Sequence, residues 1–365
     1  MSIILFVVIL ALLILSHEFG HFIVAKKLGV RVDEFGLGFP PRLASFRRGE
    51  TVYSLNWLPF GGFVKIFGEN PDTDSLAGPD SQRSLINKPK WARAAVLAGG
   101  VFFNFLLAWL LISLGLATVG MPTAAGALES GQKLENVRLL ITSVLPDSPA
   151  AQAGLAAGDE IRGARSDAAQ LDALTVGAFQ TVVAGAPDEV MVTYRRQEKD
   201  VEIVIHPARG LIDDRPAIGV GIDEIGTLRL PIIQAIASGG RTTGNLMVLT
   251  TSAFGDFFAR LWRGAEVLSS VTGPVGLVGL VGEASGLGLA YLLSFTALIS
   301  INLGILNLLP FPALDGGRLF FLLIEAIKGS PIRPALANAF NLVGFALLLL
   351  LMLAVTYSDI IKLLV

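Results

Sequence analysis

The chain has 365 residues, no cysteine, a formal net charge of −2, 53% hydrophobic residues and only 16% charged ones. That balance argues against nucleic acid as the main partner and excludes disulfides and thiolate metal sites. It points to a membrane protein with room for one modest soluble domain.

The apolar run from Ile3 to Ala25, about 23 residues, is long enough to span a bilayer as a helix. It lacks a basic leader and a small-residue cleavage site, so it is expected to be retained rather than removed as a signal peptide. One polar block interrupts it, Ser16-His17-Glu18-Phe19-Gly20-His21. On a helix, His17 and His21 share a face and reach one divalent ion, with Glu18 beside them as candidate general base. The spacing suits zinc, which takes two imidazoles, a third protein ligand and an open position. Two imidazoles and a carboxylate are costly inside a membrane-length helix, and that cost argues for function. The competing reading is a soluble core helix whose His and Glu pair with each other. Outside the motif the only histidine is His206, so the third ligand is expected to be a carboxylate.

Residues 26–93 form a polar loop carrying Lys26, Lys27, Arg31, Arg42, Arg47, Arg48, Lys65, Arg83, Lys88, Lys90 and Arg93. Basic residues this close to membrane helices place the loop in the cytoplasm and the N-terminus outside. Within it, Val52–Trp57 and Gly62–Phe67 read as two short strands joined through Leu58-Pro59-Phe60-Gly61. Such a hairpin either dips beside the metal helix or stays in the cytoplasm. Residues 94–119 are a second span, with Gly99-Gly100 for close helix approach and Asn104 as either packing contact or site residue.

Charges return over residues 121–230, and about 136–209 is expected to be one soluble α+β domain on the non-cytoplasmic side. Leu139–Val144 reads as a strand, and Ser148–Leu155 as a short helix closed by Gly154. Gly158–Ile161 is a turn into a strand, and Glu189–Tyr194 with Val201–Ile205 form a hairpin. His206 reads as a surface or strand residue. Residues 231–285 are expected to be amphipathic from Pro231 to Val271 and to lie on the outer membrane surface or pack on the core, with a Gly/Pro turn at Thr272–Gly276.

Residues 286–309 and 335–355 are the last two spans. Between them, Pro310 and Pro312 break the helix and leave carbonyls unpaired, so Asp315 sits on distorted backbone that needs a cavity around it. With four spans and an outside N-terminus, His17, His21 and Asp315 all fall in the cytoplasmic half of the membrane. Asp315 is therefore the candidate third ligand.

Three features resemble the site-2 protease family, and within it the bacterial PDZ-containing branch. They are His17–His21 in the first span, Asn302–Gly317 at the third, and Ser148–Ile161, which resembles a permuted PDZ domain. The resemblance covers nearly the whole chain. It implies an α-helical polytopic membrane protein of about four transmembrane helices with one inserted PDZ-like domain. The core divides into 1–120 and 286–365, around the 136–209 domain and the 231–285 connector. It also implies Zn2+ on His17, His21 and Asp315, and Glu18 as the base. Asn302 and Asn307 then belong to the active-site span, where they position substrate. Phe60–Glu69 resembles the family's membrane-associated β-hairpin, with Gly62, Phe63 and Val64 able to pair with an unwound substrate. Many relatives have Ala-Gly-Pro-x-x-Asn in the second span, whereas Gly99–Asn104 here lacks the proline. Some relatives carry two PDZ domains, and 136–209 has room for one.

The implied reaction is peptide hydrolysis within transmembrane protein substrates, such as anti-sigma factors or signal-peptide remnants, at the bacterial inner membrane. The alternative is a zinc-binding membrane scaffold or transporter without proteolysis. A transporter would be expected to show internal repeats, and a scaffold has no use for Glu18 beside the metal face.

Overall fold

The computed structural model describes residues 2–69, 73–128, 131–186, 188–196, 199–212, 215–264, 271–330, 332 and 334–364. The chain begins α1 (Ser2–Lys27), β1 (Val32–Arg48), β2 (Thr51–Ile66), α2 (Thr73–Ala77), α3 (Lys90–Ala117). It continues β3 (Met121–Ala124), β4 (Glu135–Val144), α4 (Pro149–Gln152), β5 (Glu160–Arg165), α5 (Val176–Ala184), β6 (Val190–Arg196), β7 (Lys199–Ile205). Then come β8 (Ala208–Ile212), β9 (Arg215–Ala217), β10 (Val220–Leu228), α6 (Ile232–Trp262), α7 (Pro274–Gly286), α8 (Leu289–Leu308), α9 (Asp315–Lys328) and α10 (Pro334–Leu364). Two compact units result: Met1–Gly115 with Ile232–Val365, and Leu116–Pro231.

In the first unit, four helices among the described residues, α1, α3, α8 and α10, are long and apolar enough to cross a membrane. They match the four stretches expected to span. Gly20 lets α1 and α3 meet backbone to backbone: a Cβ there would lie 2.2 Å from the Gly99 carbonyl oxygen.

The two strands expected at 52–57 and 62–67 are not each other's partners. They are two halves of β2, and one stretch of β1 lies between them. Phe35 pairs with Tyr53 on one side and Val64 on the other, and Gly36 with Ser54 and Phe63. The far half of β1 folds back, so that Ser45 pairs with Ser54 and Phe46 with Tyr53. The result is a ribbon of four strand segments in the order 62–66, 32–37, 52–56, 42–48. The hairpin reading missed this because the turn residues Leu58–Gly61 signal a reversal but do not select which strand fills the gap. Among the described residues, 62–66 are left as an edge, paired on one side only.

The amphipathic stretch is largely α6, whose N-terminal half lies on α3: Trp109 Nε1 donates to the Ile236 carbonyl at 2.9 Å. Residues 265–270 of that stretch lie outside the described residues. Of the two placements weighed for 231–285, α7 takes the core, with Val281 buried against Ile9 and Leu13 of α1. The Asp359 carboxylate of α10 accepts from Gly273 N (3.1 Å) and Gly276 N (2.8 Å) at its start. Helix α9 was not expected; it begins at Asp315 directly after the proline-broken loop.

The second unit is a six-stranded sheet in the order β3-β10-β4-β5-β6-β7, its adjacent strands antiparallel. Its core holds Leu139, Ile141, Ile161, Phe179, Val190, Val192 and Ile205. Ser148 Oγ caps α4 by accepting from Ala151 N at 3.3 Å, and Gly154 closes it at φ +81°. The unit is wider than 136–209, because β3 and β10 lie outside those bounds. Strand β10 is an interior strand, yet its Val-Gly-Ile-Asp-Glu sequence carries weak local strand signal and it takes its place by pairing with distant β4. Phe179 is the largest fully buried side chain of this core. Phe179→Ala in a 116–231 fragment is expected to lower unfolding free energy by ~3–5 kcal/mol, read from the urea midpoint.

Candidate active site

Helix α1 presents His17 and His21 on one face, and the loop after α8 delivers Asp315 to them. Asp315 Oδ2 lies 3.0 Å from His17 Nε2 and 3.3 Å from His21 Nε2. The two Nε2 atoms are 3.2 Å apart. A tetrahedral ion with bonds of ~2.0 Å has ligand–ligand edges of about 3.3 Å, so the three atoms already stand at the spacing zinc requires. The three atoms cluster closely, and Asp315 Oδ2 is buried without a hydrogen-bond partner among the described residues. A cation satisfies all three at once. The donor set fits zinc.

The far ring nitrogens are also held. His21 Nδ1 is 2.8 Å from the Val96 carbonyl, which accepts its proton and leaves Nε2 free to ligate. His17 Nδ1 is 3.1 Å from the Asn104 carboxamide, which is wholly buried. With Nε2 given to a metal, His17 Nδ1 carries the proton and the amide must offer its oxygen. Rotating the carboxamide by half a turn supplies it, and this also satisfies Asn104 Oδ1, otherwise a buried oxygen with no partner. Of the two roles left open for Asn104, the structure places it against the site. Its main-chain carbonyl accepts from Ser300 Oγ at 2.7 Å, which ties α8 to the same point.

Gly100 forms the floor. A Cβ there would meet His21 Nε2 at 2.4 Å and His17 Nε2 at 2.8 Å. Any side chain at 100 would occupy the ligand cluster.

Around these atoms is a cavity of about 370 Å³ whose lining includes Glu18, Gly62, Phe63, Val64, Asn307, Asp315 and Arg318. Glu18 is half-buried, and no described residue hydrogen-bonds its carboxylate. Gly62 approaches it closely, a Cβ there falling 3.4 Å from Glu18 Cγ. The structure thus brings together His17, Glu18, His21, Asp315, Asn307 and the edge strand Gly62–Val64. It does not bring Asn302, which is half-buried on α8 but absent from the cavity lining. Five residues separate it from Asn307, about 140° around a helix, so the two amides cannot share a face. His206 lies in the other unit, its Nδ1 bonded to the Asp188 carbonyl at 2.9 Å. Val96 and Arg318 went unseen in the sequence: a carbonyl has no residue signature, and Arg318 follows a motif already assigned to Asp315.

Two histidines and a carboxylate on one helix, with a distant aspartate beside them in a cavity, form a donor set that suits a metal-dependent hydrolase. The comparisons agree. The family model for peptidase family M50 matches residues 5–351, and the chain belongs to that family, the site-2 proteases. A Clostridium perfringens protein with a provisional zinc metalloprotease name is 35% identical, over 96% of this chain and 95% of its own. The regulator of sigma-W protease RasP from Bacillus subtilis is 30% identical over 98% of both chains. Zinc metalloprotease RasP from Shouchella clausii is 27% identical over the same shares. A solved PDZ domain of a Listeria monocytogenes SdrC-like protein covers 25% of this chain and 92% of its own, at 24% identity and a TM-score of 0.21, too low to carry a fold assignment.

Gly100→Ala is expected to strip bound zinc to a small fraction of the wild-type content while leaving the helices intact. Metal analysis beside far-ultraviolet circular dichroism checks it.

Proposed function

We propose that the chain hydrolyses peptide bonds within the membrane-spanning segments of other proteins. The observation that carries this is the convergence of His17, His21, Asp315 and Glu18 on one cavity bordered by an unpaired strand edge. His17 and His21 through Nε2, and Asp315 through its carboxylate, would hold zinc. Bound there, zinc supplies Lewis acidity toward the scissile carbonyl and toward water. The Glu18 carboxylate takes a proton from the attacking water and returns it to the leaving amine. Val96 and Asn104 keep the imidazoles in the tautomer that leaves Nε2 free.

A spanning helix hides its carbonyls in its own hydrogen bonds, so the substrate must unwind before attack. Residues 62–66 offer backbone groups to an extended segment, and strand addition there replaces the bonds lost on unwinding. Asn307 lines the same cavity and is assigned to substrate positioning. Asn302 has no comparable support.

The four apolar helices cross the bacterial inner membrane in this reading, with the basic 26–93 loop inside. That sidedness puts residues 116–231 outside, where a PDZ-like unit screens or docks substrate ectodomains. One relative is named regulator of sigma-W protease, and in keeping with that name we assign this chain regulatory membrane proteins, anti-sigma factors among them, as substrates.

Glu18→Gln is expected to retain zinc and lose cleavage by about 10²- to 10⁴-fold. Asp315→Ala is expected to lose the metal itself, because two imidazoles remain. Full zinc occupancy in Asp315→Ala would remove Asp315 from the ligand set. For topology, single cysteines in this cysteine-free chain are expected to be labelled from the cytoplasm at position 47 and from outside at 172.

A further inference from the structure

Arg318 and Glu69 both line the catalytic cavity, and the proposed mechanism uses neither. Arg318 Nη1 is hydrogen-bonded and ion-paired to a Glu69 carboxylate oxygen. Arg318 lies three residues after Asp315, one turn along the same face of α9. Glu69 lies three residues after the last residue of the edge strand. The turn that carries it is fastened: Glu69 N donates to the Ile66 carbonyl at 3.2 Å, and Phe67 N to the Arg31 carbonyl at 2.9 Å. Glu69 is therefore a fixed extension of the strand, and Arg318 a fixed extension of the helix turn bearing Asp315.

The far end of α9 is fastened independently. Buried Glu325 accepts from Arg93 Nη1 at 2.9 Å and from Ile332 N at 3.1 Å, and its carbonyl accepts from Lys90 Nζ at 2.8 Å. The helix does not need Glu69 to stay in place. What the Arg318–Glu69 pair adds is a link between strand edge and Asp315.

We propose that Arg318 and Glu69 are positioning residues that set which peptide bond of a strand-paired substrate lies at the metal centre. The proposal rests on the reading that substrate pairs with residues 62–66. A chain held on that edge repeats every two residues, and a one-residue slip turns its side chains over. The edge can hold any register. The span from Val64 through Glu69 and Arg318 to Asp315 selects one. Glu69 is partly exposed, and the pair's role is geometric rather than a large source of stability.

The test uses full-length enzyme and a transmembrane peptide that the wild type cuts at a single bond. Glu69→Gln, Arg318→Gln and the double variant are compared for zinc content, kcat, KM and cleavage position by mass spectrometry. A Val64→Cys background forms disulfides with single cysteines moved along the peptide, which reads the register directly. All three variants are expected to keep zinc, to lose about 10- to 100-fold in kcat, and to spread both cleavage and crosslinking to neighbouring residues. The double variant is expected to be no worse than either single one, since both break the same link. A single cut with an unchanged register in Glu69→Gln and Arg318→Gln overturns the proposal. So does loss of zinc in step with activity, which would make the pair a support for Asp315. A shift in only one of the two single variants also overturns it. No crosslink from Val64→Cys in the otherwise wild-type enzyme sinks the strand-pairing reading, and this proposal with it.

Discussion

Three electron-rich atoms, two imidazole nitrogens and a carboxylate oxygen, stand about 3 Å apart inside largely apolar surroundings. Without a cation their lone pairs oppose one another, and water cannot solvate them freely there. The neighbouring structure resists that opposition. Gly20 and Gly99 bring two helix backbones into contact, and Gly100 clears the space beneath the rings. Val96 and Asn104 hold the outer nitrogens, and Ser300 ties Asn104 to the helix that leads to Asp315. The cluster of residues 17, 21 and 315 forms where α1 and α3 meet backbone to backbone and Ser300 of α8 is tied to the same point.

The ribbon of β1 and β2 answers a different constraint. Hydrolysis needs an extended substrate, and an extended backbone in an apolar setting needs partners for its amides and carbonyls. The doubled pairing of residues 32–37 spends both edges of that stretch internally and leaves 62–66 exposed along one side. The edge that aggregation would ordinarily make hazardous is enclosed in a cavity beside Glu18. In the proposed mechanism, its position turns a liability into a binding surface.

Much of this was legible from residue order. Four spans followed from apolar length, and the metal pair from a four-residue spacing on one helix. The two prolines before Asp315 marked it as the residue to look for, and the structure sets it beside the two histidines. What stayed hidden depended on long-range pairing. The partner of 62–66 is not 52–57 but 32–37, a choice that turn residues do not encode. Strand β10 enters its sheet because β4 offers a complementary edge, although its two glycines and two acids give little local strand signal. Asn302 and Asn307 read alike in sequence, and only the helical angle between them separates cavity from flank. Val96 contributes a carbonyl, which every residue has.

In the proposed site, a carboxylate as third ligand suits the balance of charge. Uncompensated charge in a low-dielectric setting is expensive, and a protein lowers that cost by making the sum of nearby charges small. Two neutral imidazoles, the Asp315 carboxylate, the Glu18 carboxylate and a divalent ion sum to zero. Arg318 and Glu69, the other charged pair lining the cavity, also cancel. A third histidine in place of Asp315 would leave the filled site with one net positive charge, and removing the ion from the present set leaves two negative ones. The same arithmetic that favours metal retention therefore favours aspartate over histidine at position 315. It also explains why a basic side chain so near the ligands is tolerated, since Glu69 neutralises it before the metal is counted.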